Sequence, residues 1–120
     1  MTGTAFLVEA FGCDPEKLRS QSALAQLFGD VVRALDLHPI GDAIWHAFPG
    51  AGGVTGMWML TESHLAVHTF PEHRSLALDI FCCRPRQGEL RAALVRAVGA
   101  TFVRERVLDR PLSRDDDAAA

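Results

Sequence analysis

The sequence predicts an α+β domain, a two-layer sandwich in which two main helices pack on one face of a mostly antiparallel sheet. Three observations lead there. Leu24, Leu27, Phe28, Val31, Val32 and Leu35 fall at i, i+3, i+4, i+7, i+8 and i+11, one continuous apolar stripe of an amphipathic helix. From about Gly41 the period changes to two and stays so as far as Cys83. Helical spacing then returns through Leu90, Leu94, Ala97 and Val98, so helices alternate with groups of strands. Each apolar stripe must be buried, and a sheet with one apolar face can bury both.

In chain order, AFLVE at 5–9 is short and alternating, as a strand would be. In DPEKL, Asp14 is a helix cap and Pro15 the first helical residue, enough for a single turn before the long helix. Strands are expected near 41–48, 54–61, 64–70 and 75–83. Their breaks are PGAGG at 49–53, the Glu62-Ser63 junction and PEHR at 71–74. A helix over 88–98 and a strand from Thr101 to Leu108 complete one domain spanning 1–109. The segment 110–120 is polar, acidic and then all alanine, which predicts a disordered tail.

With 120 residues, 48% of them hydrophobic, the chain fills one core and leaves no room for a second domain. The net charge of −3 is spread through interspersed acids and bases, which argues against nucleic acid or anionic lipid and for a small-molecule partner. The apolar run from Ala5 to Val8 is too short for a signal peptide and lacks a basic leader. No apolar stretch nears the ~20 residues a membrane span needs, so a cytoplasmic location is expected. Cys13, Cys82 and Cys83 are odd in number and lack metal-type spacing, which predicts reduced thiols, no disulfide framework and no metal site.

Strand parity sorts core from candidate site, because successive side chains point to opposite faces. Over 75–83, Leu76, Leu78, Ile80 and Cys82 form an apolar set, whereas Ala77, Asp79, Phe81 and Cys83 include a charge. Cys82 is thus the core candidate and Cys83 the functional one, although both also read as small buried hydrophobes. Over 64–70, Leu65 and Val67 oppose His64, Ala66, His68 and Phe70, so the strand opening at the Glu62-Ser63 junction bears His68 on one face. That face reads either as a pocket wall or as exposed, structurally bonded histidines. His64 and His68 lie ~13 Å apart along the strand, too far to share an ion. Glu72 reads as a solvated turn carboxylate, Phe48 as core or pocket, and Thr55 as a β-branched strand residue. PGAGG lacks the lysine and following helix of a phosphate loop.

Taken together, GVTGMWMLTESHLAVHTFPEHRSLALDIFCC at 53–83 resembles the proenzyme of the prokaryotic S-adenosylmethionine decarboxylases. That family pattern has a Gly-Val-Ser-Gly turn, an ESH cleavage site, a HTWPE segment and a Phe-Thr-Cys ending. LVEAFGCD at 7–14 is similar to its opening strand.

The resemblance implies that Ser63 attacks the Glu62 carbonyl and cuts the chain into 1–62 and 63–120. The second piece then begins with a pyruvoyl group made from Ser63, and no external cofactor is needed. Its ketone would form a Schiff base with the substrate amine and accept the electrons released as carbon dioxide leaves. His68 resembles the family's proton-transfer residue, Thr55 stands where a serine assists processing, and Cys83 resembles the donor that reprotonates the α-carbon. Phe48 and Phe70 would pack around the adenine or sulfonium of S-adenosylmethionine and Glu72 would accept the ribose hydroxyls. The family's site is assembled across a homodimer interface, in keeping with a sheet face that no helix covers. The product would be the aminopropyl donor for spermidine synthesis.

Four departures stand out. Phe70 replaces a tryptophan, Ala5 a histidine, Cys82-Cys83-Arg84 replaces Thr-Cys-Gly, and the loop at 49–53 is one residue longer. Arg84 sets a cation beside Cys83, a placement that favours the thiolate. Two other readings stay open: a pyruvoyl decarboxylase of ornithine or arginine, and an uncleaved binding or regulatory homologue.

Overall fold

The computed structural model describes residues 2–115. Strand β1 (Thr2–Phe11) leads through helix α1 (Pro15–Leu18) into helix α2 (Gln21–Ala34). Strands β2 (Ile44–Ala47), β3 (Val54–Met59) and β4 (Ser63–Phe70) follow, then a single 3-10 turn at Pro71–His73 and strand β5 (Ser75–Cys82). Helix α3 (Arg91–Val98) and strand β6 (Phe102–Pro111) end the described fold.

The helices start where the sequence provides caps. The Asp14 side chain accepts from the Glu16 N–H and Pro15 opens α1, while Ser20 accepts from the Ala23 N–H at the start of α2. Gly99 ends α3 at a φ of 68°, a left-handed geometry that glycine adopts without a Cβ penalty. Leu24, Leu27, Phe28, Val31 and Leu35 are buried as the stripe requires, and Val32 packs partly buried at its border.

The six strands form one antiparallel sheet in the order β2-β3-β4-β5-β1-β6. One face is the core: Phe6, Val8 and Ala10 of β1, Leu65 and Val67 of β4, and Leu76, Leu78, Ile80 and Cys82 of β5 are buried with the helix stripes. The core placement that parity gives Cys82 holds, with Cys82 1% exposed and Cys83 exposed. Burial pushes the Cys82 thiol up, against a smaller lowering by Arg86 and a further raising by Cys83. Among the described residues no helix covers the opposite face, which exposes Ile44, Met57 and Met59 alongside His46, His64 and His68.

At the β2-β3 end the core is closed by rings. Phe28 of α2 stacks on Trp45 at 5.0 Å and on Trp58 at 6.2 Å between centroids. Gly56 makes room for this: a Cβ there would lie 2.3 Å from Cζ3 of Trp45.

Several boundaries differ from the sequence expectation, among them that of the last strand. β6 runs to Pro111 because Arg110 pairs with Gly3 and Pro111 with Thr2, so the expected tail begins inside a strand. β1 is likewise longer than 5–9, being laddered on both sides by β5 and β6. Residues 116–120 of the expected tail lie outside the described residues. Strand β2 is shorter than 41–48, and α3 begins at Arg91 rather than at 88. No helix among the described residues is long and apolar enough to cross a membrane.

Candidate active site

Strands β3 and β4 form a hairpin closed by the Leu60 N–H donating to the Ser63 carbonyl at 2.9 Å, which leaves Thr61 and Glu62 as the turn. Ser63 opens β4 and pairs with Cys82 of β5. Immediately beyond, the Cys83 N–H donates to the Glu62 carbonyl oxygen at 2.7 Å. The carbonyl of the Glu62-Ser63 bond is thus already held by a backbone donor. Arg84, expected to act on the Cys83 thiol, instead places its Nε 2.6 Å from Oε2 of Glu62. Ser63 also lines an open, largely apolar groove of about 560 Å³ with Ile44, Met57, Met59 and His64.

A second cluster occupies the other end of the same hairpin. Thr55 pairs with His68, and Thr55 Oγ1 lies 3.0 Å from His68 Nδ1. These two line a cleft of about 320 Å³ with Phe48, Gly53, Phe70 and Glu72. Its floor is fixed from below. Buried Thr69 donates its hydroxyl to the Leu18 carbonyl at 2.7 Å and accepts from the Val54 N–H at 2.9 Å, tying β4 to α1 and β3. The glycine-rich loop is pinned as well, with Arg19 Nε donating to the Ala51 carbonyl at 2.7 Å. Gly53 passes so close to β4 that a Cβ would lie 2.7 Å from the Thr69 carbonyl oxygen.

The structure therefore brings Phe48, Thr55, His68, Phe70 and Glu72 together, and Glu62, Ser63 and Cys83 together, but not the two groups within one chain. Residues 63 and 68 are five positions apart on one strand, about 17 Å. They also differ in parity: His68 lies on the uncovered face with His64, whereas Ser63 shares the register of Leu65 and Val67. The strand that opens at the junction thus bears His68 on the uncovered face, as parity leads one to expect, while Ser63 itself falls in the alternate register at the strand's start.

Two residues were missed. His46 lies opposite Thr55 in the β2-β3 register and meets the Phe48 ring edge-on at 4.6 Å. The i, i+2, i+4 spacing of Ile44, His46 and Phe48 carries that signal. Arg19 carries none, because its contact with the loop joins residues 32 positions apart.

A family model described as S-adenosylmethionine decarboxylase matches residues 4–111. The chain is 28% identical over 115 residues to an S-adenosylmethionine decarboxylase proenzyme of Hydrogenobaculum sp. (strain Y04AAS1), covering 94% of this chain and 84% of that protein. It is also 28% identical over 117 residues to a proenzyme of the same description from Thermococcus kodakarensis, covering 96% and 80%. The crystal structure of the adenosylmethionine decarboxylase from Aquifex aeolicus superposes with a TM-score of 0.74 at 21% identity, over 93% of this chain and 92% of that one, and shares the fold. Since the match runs from β1 to the end of β6 and takes in both halves of the site, the chain belongs to the S-adenosylmethionine decarboxylase family.

Proposed function

We propose that this chain is a self-processing, pyruvoyl-dependent decarboxylase of S-adenosylmethionine that works as a homodimer. The observation that carries this reading is the 2.7 Å hydrogen bond from the Cys83 N–H to the Glu62 carbonyl oxygen. A donor so placed stabilises the negative charge that gathers on this oxygen when a nucleophile adds to its carbon. The nucleophile is the Ser63 hydroxyl. Its Oγ–C bond forms, the C–N bond of the junction breaks, and the hydroxyl proton ends on the freed amine of residue 63. Loss of the Cα proton then expels the Glu62 carboxylate and leaves a dehydroalanine, which with one water becomes pyruvoyl and releases ammonia. The pieces are 1–62 and 63–120.

The residues at the junction fit such a group, with an exposed thiol at Cys83 one residue past the strand partner of Ser63. A pyruvoyl at position 63 supplies a ketone that draws off the electrons left when carbon dioxide departs. Cys83 Sγ holds the proton that returns to the α-carbon. Phe48 and Phe70 receive the adenine and sulfonium, and Glu72 accepts the ribose hydroxyls. His68, with Thr55 bonded to its Nδ1, moves the proton from the Ser63 hydroxyl during the cut.

About 17 Å of strand keeps that last role out of reach within one chain. A twofold dimer that faces the uncovered sheet surfaces together resolves this, by laying each His68 cluster against the partner's junction. The exposed Ile44, Met57 and Met59 on this face support such packing. Three free cysteines suit a reducing, cytoplasmic setting.

Intact mass spectrometry tests the processing: two pieces meeting at Glu62-Ser63, with an α-keto start on the second, are expected. A single uncut chain after prolonged incubation would overturn the reading in favour of a binding homologue. Carbon dioxide release from S-adenosylmethionine, measured against ornithine and arginine, tests the substrate, and release from either amino acid alone would overturn it.

A further inference from the structure

The Glu62 side chain, on a two-residue turn, is the acid that Arg84 meets at 2.6 Å, and the residue just before Arg84, Cys83, holds the Glu62 carbonyl. Residue 62 is therefore gripped at two points by consecutive residues leaving β5: its main-chain oxygen by an N–H and its carboxylate by a guanidinium. A turn held only at its carbonyl can swing about that bond. Held at both ends of residue 62, the carbonyl keeps its alignment with the donor. We infer that Arg84 is a positioning residue for self-cleavage, keeping the scissile carbonyl on the Cys83 N–H; this rests on the self-processing reading above. The same cation has a second consequence. Once the bond is cut, Glu62 becomes a chain end with two carboxylates, and Arg84 retains that end beside the new site.

Both side chains are partly exposed, 56% for Arg84 and 41% for Glu62, so the pair is screened by salt and its contribution is modest. That makes the test specific. Full-length chain is made by cell-free synthesis, translation is stopped, and the fraction cut is followed by intact mass. Arg84→Gly is expected to cut about two- to fivefold more slowly than the natural chain at about 0.02 M salt, the gap closing near 0.5 M. Arg84→Lys should be intermediate. The charge swap Arg84→Glu with Glu62→Arg should recover most of the rate that Arg84→Glu alone loses. A loss of rate through misfolding would neither close with salt nor recover on swapping. Equal rates for Arg84→Gly and the natural chain, or a gap that ignores both salt and the swap, overturn the inference and leave the processing reading intact. A natural chain that never cuts overturns both.

Discussion

The Cys83 N–H and the Glu62 carbonyl oxygen meet at 2.7 Å, so one residue offers its main chain to the bond before Ser63 and, on the function proposed above, its thiol to the site that follows. The two offers are separable, because a side-chain substitution leaves the N–H in place. Cys83→Ala should therefore still cut, while its turnover falls by about two orders of magnitude or more for want of a positioned acid. Ser63→Ala should not cut at all. Mass spectrometry and carbon dioxide release read these directly, and the reverse pattern would refute the assignment.

The separation of Ser63 from His68 makes a complementation experiment decisive. A His68→Ala chain and a Ser63→Ala chain should each stay uncut alone. Mixed as dimers in equal amounts, about half of the His68→Ala chains should cut, since each meets a partner with an intact His68 half the time. If none cut in the mixture, His68 does not serve the partner's junction.

Gly56 is a packing requirement with a measurable cost. A Cβ there would meet Cζ3 of Trp45 at 2.3 Å, and Trp45 is already stacked on Phe28, so the ring has little freedom to retreat. Gly56→Ala should lower stability by about 1–3 kcal/mol. Urea unfolding in the uncut Ser63→Ala background measures this, and an unchanged midpoint would mean that Trp45 moves aside without cost.

Buried Cys13 gives the protein an alkaline weakness. Burial raises its thiol from 9.0 to about 11, so between these values the unfolded chain has lost a proton that the folded one keeps. Stability from this source is complete below pH 9 and falls as pH rises toward 11, by about 1.4 kcal/mol at pH 10. Cys13→Ala should flatten the decline between pH 8 and pH 10 by that amount in urea titrations. An undiminished slope would assign the decline to other groups, raised Cys82 among them.

Local periodicity made much of this legible. Parity told Cys82 from Cys83, and the 3.6-residue stripe located α2, because both depend only on near neighbours. Long-range pairing was not legible. Arg110 and Pro111 have the composition of a tail, yet they are strand because Gly3 and Thr2 lie opposite. Glu62 and Arg84 are 22 positions apart, and only the β4-β5 register brings them together. The distance from Ser63 to His68 follows from counting residues along one strand, although the spacing of ESH and HTF suggests a single cluster.

The sheet order also decides what a cut between β3 and β4 can do. Residues 1–62 contribute β1, β2 and β3, and the remainder contributes β4, β5 and β6. Because β1 lies between β5 and β6, the first piece is woven through the second rather than set beside it. Severing the chain thus frees neither half: to part, they would have to give up three ladders and split a common core. On the self-processing reading, folding comes before scission, since neither piece holds a complete sheet to close on, and the nicked product would stay whole without a covalent link.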